Sequence, residues 1–420
     1  MSPTPSRRLL AVADDLSGAA ETAAGLESRT TRSRVVLVGD SAAPRHPGEA
    51  TVLDLDSRHL PAAEAAEAVR AALALPPPGD PLVLKKIDSL LRGNVAAEVA
   101  ALAAGGAGVV VAPALPAAGR AVRAGVVHLG TTPLHHSDAW RAEPVPPPPS
   151  VAAALGPART ALVPLSAVRD SRRTLLTALR TALAEGRVAV CDAETDADLD
   201  AIVEATLADG PGTRLVGSGG LAAALGRHLA GGTSPQDGEP PQDDVPPTPA
   251  ALEDPRPLLV VVGTAEPSAA EQIRRLAADG AAVLRLPVEA LCADGPAAPI
   301  APPPLSADGV TVLTPAPTRA PFSPRRLVHG LARAVAAAVA RHDGSVDLVL
   351  TGGETARRVL DALGVTELHP VGQVHHGAVH LRTPDGRSVV TRPGSFGDAD
   401  SLRQIVQALR PHPTQRKVRP

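Results

Sequence analysis

The chain has 420 residues, of which 44% are hydrophobic, and a formal net charge of −3. This length predicts about two or three folded domains, and the balanced charge excludes the basic surface expected of a protein that binds nucleic acid or anionic membranes. One Trp, two Phe and no Tyr leave little aromatic surface for stacking, which favours a small, polar, acyclic ligand.

Two cysteines, Cys191 and Cys292, are too few for a disulfide framework and lack the paired spacing of a zinc site. The apolar run from Leu9 to Ala13 is too short for a signal peptide or a membrane span. We therefore expect reduced thiols in a cytoplasmic protein with no membrane partner.

Short apolar runs alternate with alanine-rich helical stretches over residues 1–230, a pattern typical of a doubly wound, mostly parallel α/β sheet. The predicted strands lie near 9–13, 35–39, 51–55, 82–87, 108–112, 160–164, 187–191 and 213–217. The predicted helices lie near 18–28, 61–75, 94–104, 166–185, 196–208 and 219–229.

A second α/β domain is predicted over residues 258–420, after a Gly-, Pro-, Asp- and Gln-rich linker at 231–257. Its predicted strands lie at 258–262, 281–286 and 347–350, and its helices at 267–279, 324–342 and 398–409. The tail predicts a hairpin that turns at Asp385-Gly386.

The first strand ends in Asp14-Asp15-Leu16-Ser17 before a helix begins. Ligands of open α/β sheets bind at the carboxyl ends of strands, so these polar side chains point toward a substrate. One of Asp15 and Ser17 is expected to cap the helix, which leaves the other carboxylate for function.

The segment KKIDSLLRGN is the most informative of the chain, because it holds two of the three lysines and the only asparagine. It follows a predicted strand, and its cations suit a carboxylate or phosphate group while its acid suits hydroxyls. Its candidate substrate ligands are Lys85, Lys86, Asp88, Ser89, Arg92, Gly93 and Asn94. Arg58 and Arg120 follow strands that end at the same predicted edge.

Three glycine-containing junctions between a strand and a helix in the second domain predict phosphate binding by backbone amides at helix N-termini. Helix capping alone would also explain them. The candidate residues are Gly263, Thr264, Gly352, Gly353, Glu354, Thr355, Gly394, Ser395 and Gly397. No Walker A motif is present, and the pairs His135-His136 and His375-His376 lack metal-ligand spacing.

Taken in order, these motifs resemble those of the four-carbon acid sugar kinases. The matching segments are ADDLSGA at 13–19, KKIDSLLRGN at 85–94, PALPAAGR at 113–120, VGSGGLA at 216–222, VVGTAE at 261–266, TGGETA at 351–356 and RPGSFGD at 392–398. The chain departs from the family pattern at Ala20, Leu90, Arg392 and Pro393.

The resemblance implies an enzyme that uses ATP and Mg²⁺ to phosphorylate the terminal hydroxyl of a threonate, an erythronate or an oxo derivative. It implies that the first domain holds the sugar acid and the second holds ATP. Asp15 and Asp88 are then the candidate catalytic carboxylates. A sugar-acid sensor, another enzyme of sugar-acid catabolism and a homodimeric assembly stay open.

Overall fold

The structure is a computed structural model in which the chain divides into two compact units, residues 1–239 and 240–420. It describes residues 8–28, 31–39, 48–75, 82–141, 143–208, 212–231, 256–263, 267–293, 304–305, 309–318, 321–342, 346–394 and 396–410. The predicted linker at 231–257 lies almost wholly outside these residues, so its bounds stay a prediction.

The first unit is a doubly wound α/β unit, as its sequence pattern predicts. Its strands are β1 (Leu9–Ala13), β2 (Arg32–Leu37), β3 (Glu49–Asp54), β4 (Leu82–Lys86), β5 (Val109–Ala112), β6 (Arg120–Arg123), β7 (Val126–Leu129), β8 (Thr132–Pro133), β9 (Thr160–Val163), β10 (Val188–Cys191) and β11 (Arg214–Gly217). Its helices are α1 (Leu16–Leu26), α2 (Ala62–Ala74), α3 (Val95–Ala103), α4 (Val151–Ala154), α5 (Leu165–Val168), α6 (Arg172–Ala184), α7 (Asp196–Ala208) and α8 (Gly219–Leu229).

The large sheet of this unit is parallel, with strand order β2-β3-β1-β4-β11-β5-β10-β9. Every residue of β1 and β4 is buried, because helices cover both faces of a parallel sheet. From β1 the chain goes to the outer strand β2, returns to β3 between β2 and β1, and then crosses to β4 on the other side of β1. The topological switch point, where such sheets bind ligands, therefore lies between β1 and β4.

The sequence pattern missed a small antiparallel sheet of order β6-β7-β8. Its strands have only two to four residues, too few to show an alternation of apolar and polar side chains. The sheet begins at Arg120, which places that arginine at the start of β6.

The second unit is also an α/β unit. Its strands are β12 (Leu258–Val262), β13 (Ala282–Leu286), β14 (Val310–Pro315), β15 (Asp347–Thr351), β16 (Glu367–His375), β17 (Ala378–Arg382) and β18 (Ser388–Arg392). Its helices are α9 (Pro267–Ala278), α10 (Val288–Cys292), α11 (Pro324–Ala340), α12 (Gly353–Ala362) and α13 (Ser401–Leu409). The sequence pattern predicted the hairpin β17–β18 but missed β14 and β16.

The strand order of the second unit is β13-β14-β12-β15-β18-β17-β16. The five neighbouring strands β13, β14, β12, β15 and β18 are parallel to one another. Strands β17 and β16 extend the sheet beyond β18 in antiparallel pairing. After β12 the chain forms β13 and β14 on one side of that strand and then crosses to β15 on its other side. The switch point of this unit therefore lies between β12 and β15. Within the described residues, no helix is long and apolar enough to cross a membrane.

Helices α1 and α8 approach closely because each contributes a glycine to their contact. A Cβ at Gly226 would lie 1.9 Å from the carbonyl oxygen of Gly25. We expect Gly226→Ala to force the two helices apart and to lower the free energy of unfolding by about 3 kcal/mol, at the upper end of overpacking costs. Urea denaturation followed by circular dichroism measures this loss.

The matched control is Gly39→Ala, because no atom lies within 4 Å of a Cβ at that position. We expect this variant to stay within about 0.5 kcal/mol of the parent. Equal stability of the two variants would contradict the close packing of α1 and α8.

Candidate functional site

The carboxyl ends of three neighbouring strands form the base of the first candidate site. Ala13 of β1 pairs with Lys86 of β4, and Lys86 pairs in turn with Gly217 of β11. The segments after these strands therefore begin side by side at the switch point. The sequence-predicted residues of the first domain lie in these segments, in the loop after β3 and at the start of β6.

Arg58 joins the two aspartates that follow β1. Its Nε donates to Asp14 Oδ2 at 2.8 Å, one terminal nitrogen donates to Asp14 Oδ1 at 3.0 Å, and the other donates to Asp15 Oδ2 at 2.6 Å. Asp15 is also the N-cap of α1, where its Oδ1 accepts from Gly18 N at 2.8 Å. The loop after β3 and the loop after β1 are thus held together by charge.

These ion pairs shift the pKa values of the buried Asp14 and the half-buried Arg58. Burial by itself raises the pKa of Asp14, but the positive charges of Arg58, Lys85 and Lys86 outweigh it and hold the pKa below its ordinary value. Burial lowers the pKa of Arg58, yet the charges of Asp14 and Asp15 raise it well above the ordinary value. Asp14 is therefore a carboxylate, and a poor proton acceptor, at neutral pH.

Asp88 and Arg92 form a second bidentate pair in the loop after β4. Arg92 Nε donates to Asp88 Oδ2 at 2.7 Å, and a terminal nitrogen donates to Oδ1 at 2.9 Å. The amides of Leu90 and Arg92 donate to the same Oδ2 at 3.2 and 3.3 Å. Burial raises the pKa of Asp88, but Arg92 and the more distant Arg58 and Arg120 lower it further than burial raises it.

The backbone of this loop is strained and firmly supported. Leu91 has a φ of 62°, a left-handed conformation that costs a non-glycine residue about 1–3 kcal/mol. The indole nitrogen of Trp140, the only tryptophan, donates to the Leu90 carbonyl oxygen at 2.9 Å. Strain that the surroundings support in this way is typical of functional loops.

The adjacent lysines of β4 point to opposite faces of the sheet, as neighbouring strand residues must. Lys85 is fully buried beside α3, where its ammonium lies 3.0 Å from Glu98 Oε2 without the geometry of a directed hydrogen bond. The Ser57 hydroxyl donates to the other oxygen of Glu98. Lys85 is thus part of the support beneath the site and is not exposed to a ligand.

Asn94 also contacts the loop after β3. Its amide nitrogen donates to the carbonyl oxygens of Ser57 and Leu60, both at 2.9 Å. These bonds fix the loop that carries Arg58. Gly93 lies at the surface, with a φ of 87°, and a Cβ there would be 3.3 Å from Arg58 Cγ.

Lys86 lies beside α1, on the opposite face from Lys85. Its Nζ is 3.4 Å from Glu21 Oε2, and a Cβ at Gly18 would be 2.9 Å from that Nζ. Glu21 was not among the sequence-predicted residues. Its position six residues after Asp15 places it about one and two-thirds turns further along the helix, which is not the three- or four-residue spacing of a shared helix face.

Two hydroxyls complete the first site. Ser17, in the first turn of α1, is buried, and its Oγ has no hydrogen-bond partner among the described residues. A buried hydroxyl without a partner is costly, and a polar atom of a ligand would remove that cost. Ser89 accepts a hydrogen bond from Arg120, and burial lowers the pKa of that guanidinium.

The second unit brings its glycine junctions together at its own switch point. Val262, at the end of β12, pairs with Thr351 at the end of β15, and Thr351 pairs with Arg392 at the end of β18. Gly352 then caps α12 with a φ of 96°, a conformation that favours glycine. Its amide donates to the Arg392 carbonyl oxygen at 2.8 Å.

The remaining residues of these junctions lie close to the start of α12. A Cβ at Gly263 would be 2.2 Å from Oγ1 of the buried Thr355. Gly353 and Glu354 form the first turn of α12. Thr264 and Ser395 lie outside the described residues.

Arg392 supports the junction after β18. It is buried, donates to the Phe396 carbonyl oxygen and, at 2.9 Å, to Gln272 Oε1, and burial lowers its pKa to about 10. Gly394 is half-buried, and Gly397 has a φ of 86°. A Cβ at Gly397 would lie 2.3 Å from Ser401 Oγ.

Two family models match the two units. Residues 9–225 match a sugar-binding N-terminal domain, and residues 305–402 match a nucleotide-binding C-terminal domain. The two matches together define a protein with a sugar-binding unit followed by a nucleotide-binding unit.

Curated relatives extend this match over the whole chain. The D-threonate kinase of Cupriavidus necator is 34% identical over 419 residues, which cover 95% of this chain and 97% of the relative. The 3-oxo-tetronate kinase of Methylobacterium radiotolerans is 29% identical over 431 residues, which cover 95% of this chain and 98% of the relative. The chain belongs to the four-carbon acid sugar kinase family.

A solved structure shows the same fold. The Salmonella typhimurium LT2 protein described as a putative tRNA synthase superposes with a TM-score of 0.74 at 22% identity, over 96% of this chain and 99% of that one. The α/β fold expected for both units is therefore confirmed.

The buried ion pair between Lys85 and Glu98, beneath the first site, leads to a prediction about the free energy of unfolding. Glu98→Gln removes the charge that faces Lys85, and an unpaired buried charge costs about 3–5 kcal/mol. We expect a loss of about 3 kcal/mol in urea denaturation. The double variant Lys85→Met, Glu98→Gln removes both charges and keeps an acceptor for Ser57, so we expect it to recover most of that loss. A double variant less stable than Glu98→Gln would contradict this account.

Proposed function

We propose that this chain is an ATP-dependent kinase that phosphorylates the terminal hydroxyl of a four-carbon sugar acid of the threonate, erythronate or 3-oxo-tetronate class. The observation that carries the proposal is the charged cluster at the first switch point. Lys86, Arg92 and Arg120 supply positive charge there, and Ser17 supplies a buried hydroxyl without a partner among the described residues.

A small acidic polyol fits this chemistry. Its carboxylate matches the cations, and the unused terminal nitrogen of Arg92 lies at the rim because that side chain is 28% exposed. Its hydroxyls match Ser17, Ser89 and the aspartates. The support beneath the cluster, through Lys85 and Asn94, would keep these groups in position.

The second switch point suits the phosphates of ATP. The junctions after β12, β15 and β18 are adjacent, and they lead into helices α9, α12 and α13. Amides at such helix starts attract anions through the helix dipole. A Cβ at Gly352 would meet only Thr355, at 3.7 Å, so space beside this junction is open to a ligand.

Mg²⁺, when bound with ATP, would supply positive charge to neutralise the transferred phosphate. Within the described residues, no three His, Cys, Asp or Glu side chains converge on one point. Mg²⁺ is commonly held by one or two carboxylates together with substrate phosphates, and Asp14, Asp15 and Asp88 offer such oxygens. Positioning and charge neutralisation supply most of the catalysis in phosphoryl transfer.

Incubation of the purified protein with ATP, Mg²⁺ and a panel of four-carbon sugar acids tests the proposal directly. ADP release that depends on one of these acids, with a phosphate ester on its terminal carbon by NMR, is the expected result. No ADP release with any member of the panel would contradict it.

The substrate assignment of the first unit predicts a selective defect. We expect Lys86→Ala and Arg92→Ala to raise the KM for the sugar acid about ten- to a hundredfold, because a charge-assisted contact contributes about 1.5–3 kcal/mol. ATP affinity, measured by calorimetry, should stay within about twofold of the parent.

The control for these two variants is Arg70→Ala, which removes an exposed arginine of α2 that pairs with Glu67. We expect it to leave both constants unchanged. Variants of Lys86 and Arg92 that weaken ATP binding and spare the sugar acid would contradict the assignment of the first unit.

Nucleotide binding should depend on Gly352. An alanine there must hold a positive φ and places a methyl group beside the proposed phosphate site, so we expect ATP affinity to fall about tenfold or more. Gly386→Ala is the matched control, because Gly386 has a similar φ of 85° in the β17–β18 turn and open space around it.

Both substitutions impose a positive φ on an alanine, which costs about 1 kcal/mol or more. Urea denaturation measures that cost for each variant, and only Gly352→Ala should lose nucleotide affinity. Equal ATP affinities would remove this junction from the proposed site.

A further inference from the structure

The aspartates of the first site have their oxygens engaged by arginine. Asp14 accepts two bonds from Arg58, Asp15 accepts one from Arg58 and one from the Gly18 amide, and Asp88 accepts two from Arg92. A carboxylate held by a guanidinium is a weak base, because proton uptake would break the ion pair. Asp14 and Asp88, whose pKa values are lowered, therefore suit substrate positioning better than proton transfer, and both oxygens of Asp15 already accept hydrogen bonds from Arg58 and the Gly18 amide.

Glu21 differs from the aspartates in its surroundings. Among the described residues its ion-pair partner is Lys86, at 3.4 Å, longer than any of the arginine contacts of the aspartates. No arginine fork holds it, and its side chain is 16% exposed. Its oxygens thus keep capacity to accept a proton from a ligand.

The space around Glu21 depends on a glycine of the neighbouring helix. A Cβ at Gly219, the first residue of α8, would lie 2.3 Å from the Glu21 carboxyl carbon. Any other residue at position 219 would displace this carboxylate. On α1 itself, Gly18 leaves similar room for the Lys86 ammonium.

Direction also favours Glu21. Side chains on a helix lean toward its N-terminus, so a carboxylate on the second turn of α1 reaches back toward the carboxyl ends of β1 and β4. Burial lowers the pKa of Arg120, and the charges of Asp88 and, to a smaller extent, Glu21 act against that shift. Glu21 therefore lies near enough to Arg120 for its charge to reach the cluster that holds Asp88.

We propose that Glu21 is the catalytic base that accepts the proton of the reacting hydroxyl, with Lys86 holding its carboxylate in place. This inference rests on the proposed kinase function. The hydroxyl oxygen forms a bond to the γ-phosphorus of ATP, its proton moves to Glu21, and the bond to the bridging oxygen breaks with its electron pair leaving on ADP. Glu21 then releases the proton to water.

The central test compares isosteric amide variants of the carboxylates. We expect Glu21→Gln to lower kcat by about 10² or more, the usual contribution of a positioned base, with the sugar-acid KM within about threefold of the parent. Asp15→Asn and Asp88→Asn should act mainly on KM. Glu67→Gln, which breaks an exposed pair with Arg70, is the control and should change neither constant.

Two further measurements separate catalysis from support. The acidic limb of the kcat profile should be absent in Glu21→Gln, and formate should partly restore turnover to Glu21→Ala by supplying a carboxylate. If Glu21 only neutralises Lys86, its amide variant would change KM or stability and keep the parent's kcat and pH profile. That result, or a kcat within about threefold of the parent, overturns the inference.

A negative result for Glu21 can be told apart from a negative result for the proposed kinase function. A parent protein that phosphorylates none of the sugar acids refutes the kinase assignment itself. A parent that does so while Asp15→Asn or Asp88→Asn, and not Glu21→Gln, loses kcat assigns the base to that aspartate.

Discussion

The pairing of β1 between β3 and β4 is the constraint on which the first candidate site depends. Parallel strands end at a common edge, so residues distant in sequence, Asp14, Arg58 and Lys86, begin their loops next to one another. The ion pairs from Arg58 to both aspartates then fix the relative position of two loops. The order of the strands therefore decides which charged side chains of these loops lie close together and how deeply they are buried.

Support for the site lies one layer below it. Lys85 and Glu98 form an almost completely buried pair, and Asn94 holds the backbone of the loop that carries Arg58. A buried ion pair contributes little net stability, but the loss of one partner is costly. We infer that the pair favours this arrangement of β4, α3 and the loop after β3 over other arrangements more than it adds to net stability.

The two units place different kinds of residue at the same position of one topology. Each has its switch point beside its first strand, between β1 and β4 or between β12 and β15. Charged side chains follow the strands of the first unit, which suits the small acid proposed for it, whereas glycines follow those of the second, which suits the phosphates proposed there. The same edge of the sheet thus carries charged side chains in one unit and glycines in the other.

The sequence by itself determined the α/β class, most strands and helices, and the segments that carry the two candidate sites, because hydrophobic periodicity and strand-loop-helix junctions are local signals. It missed β6 to β8, β14 and β16, whose short or irregular patterns are stabilised by pairing with other strands. Only the tertiary structure decided which acidic side chain pairs with each lysine and arginine. Lys85 and Lys86 are neighbours in sequence but face opposite sides of the sheet, so one meets Glu98 and the other Glu21. Which groups meet depends on strand order and helix packing, and no local pattern contains that information.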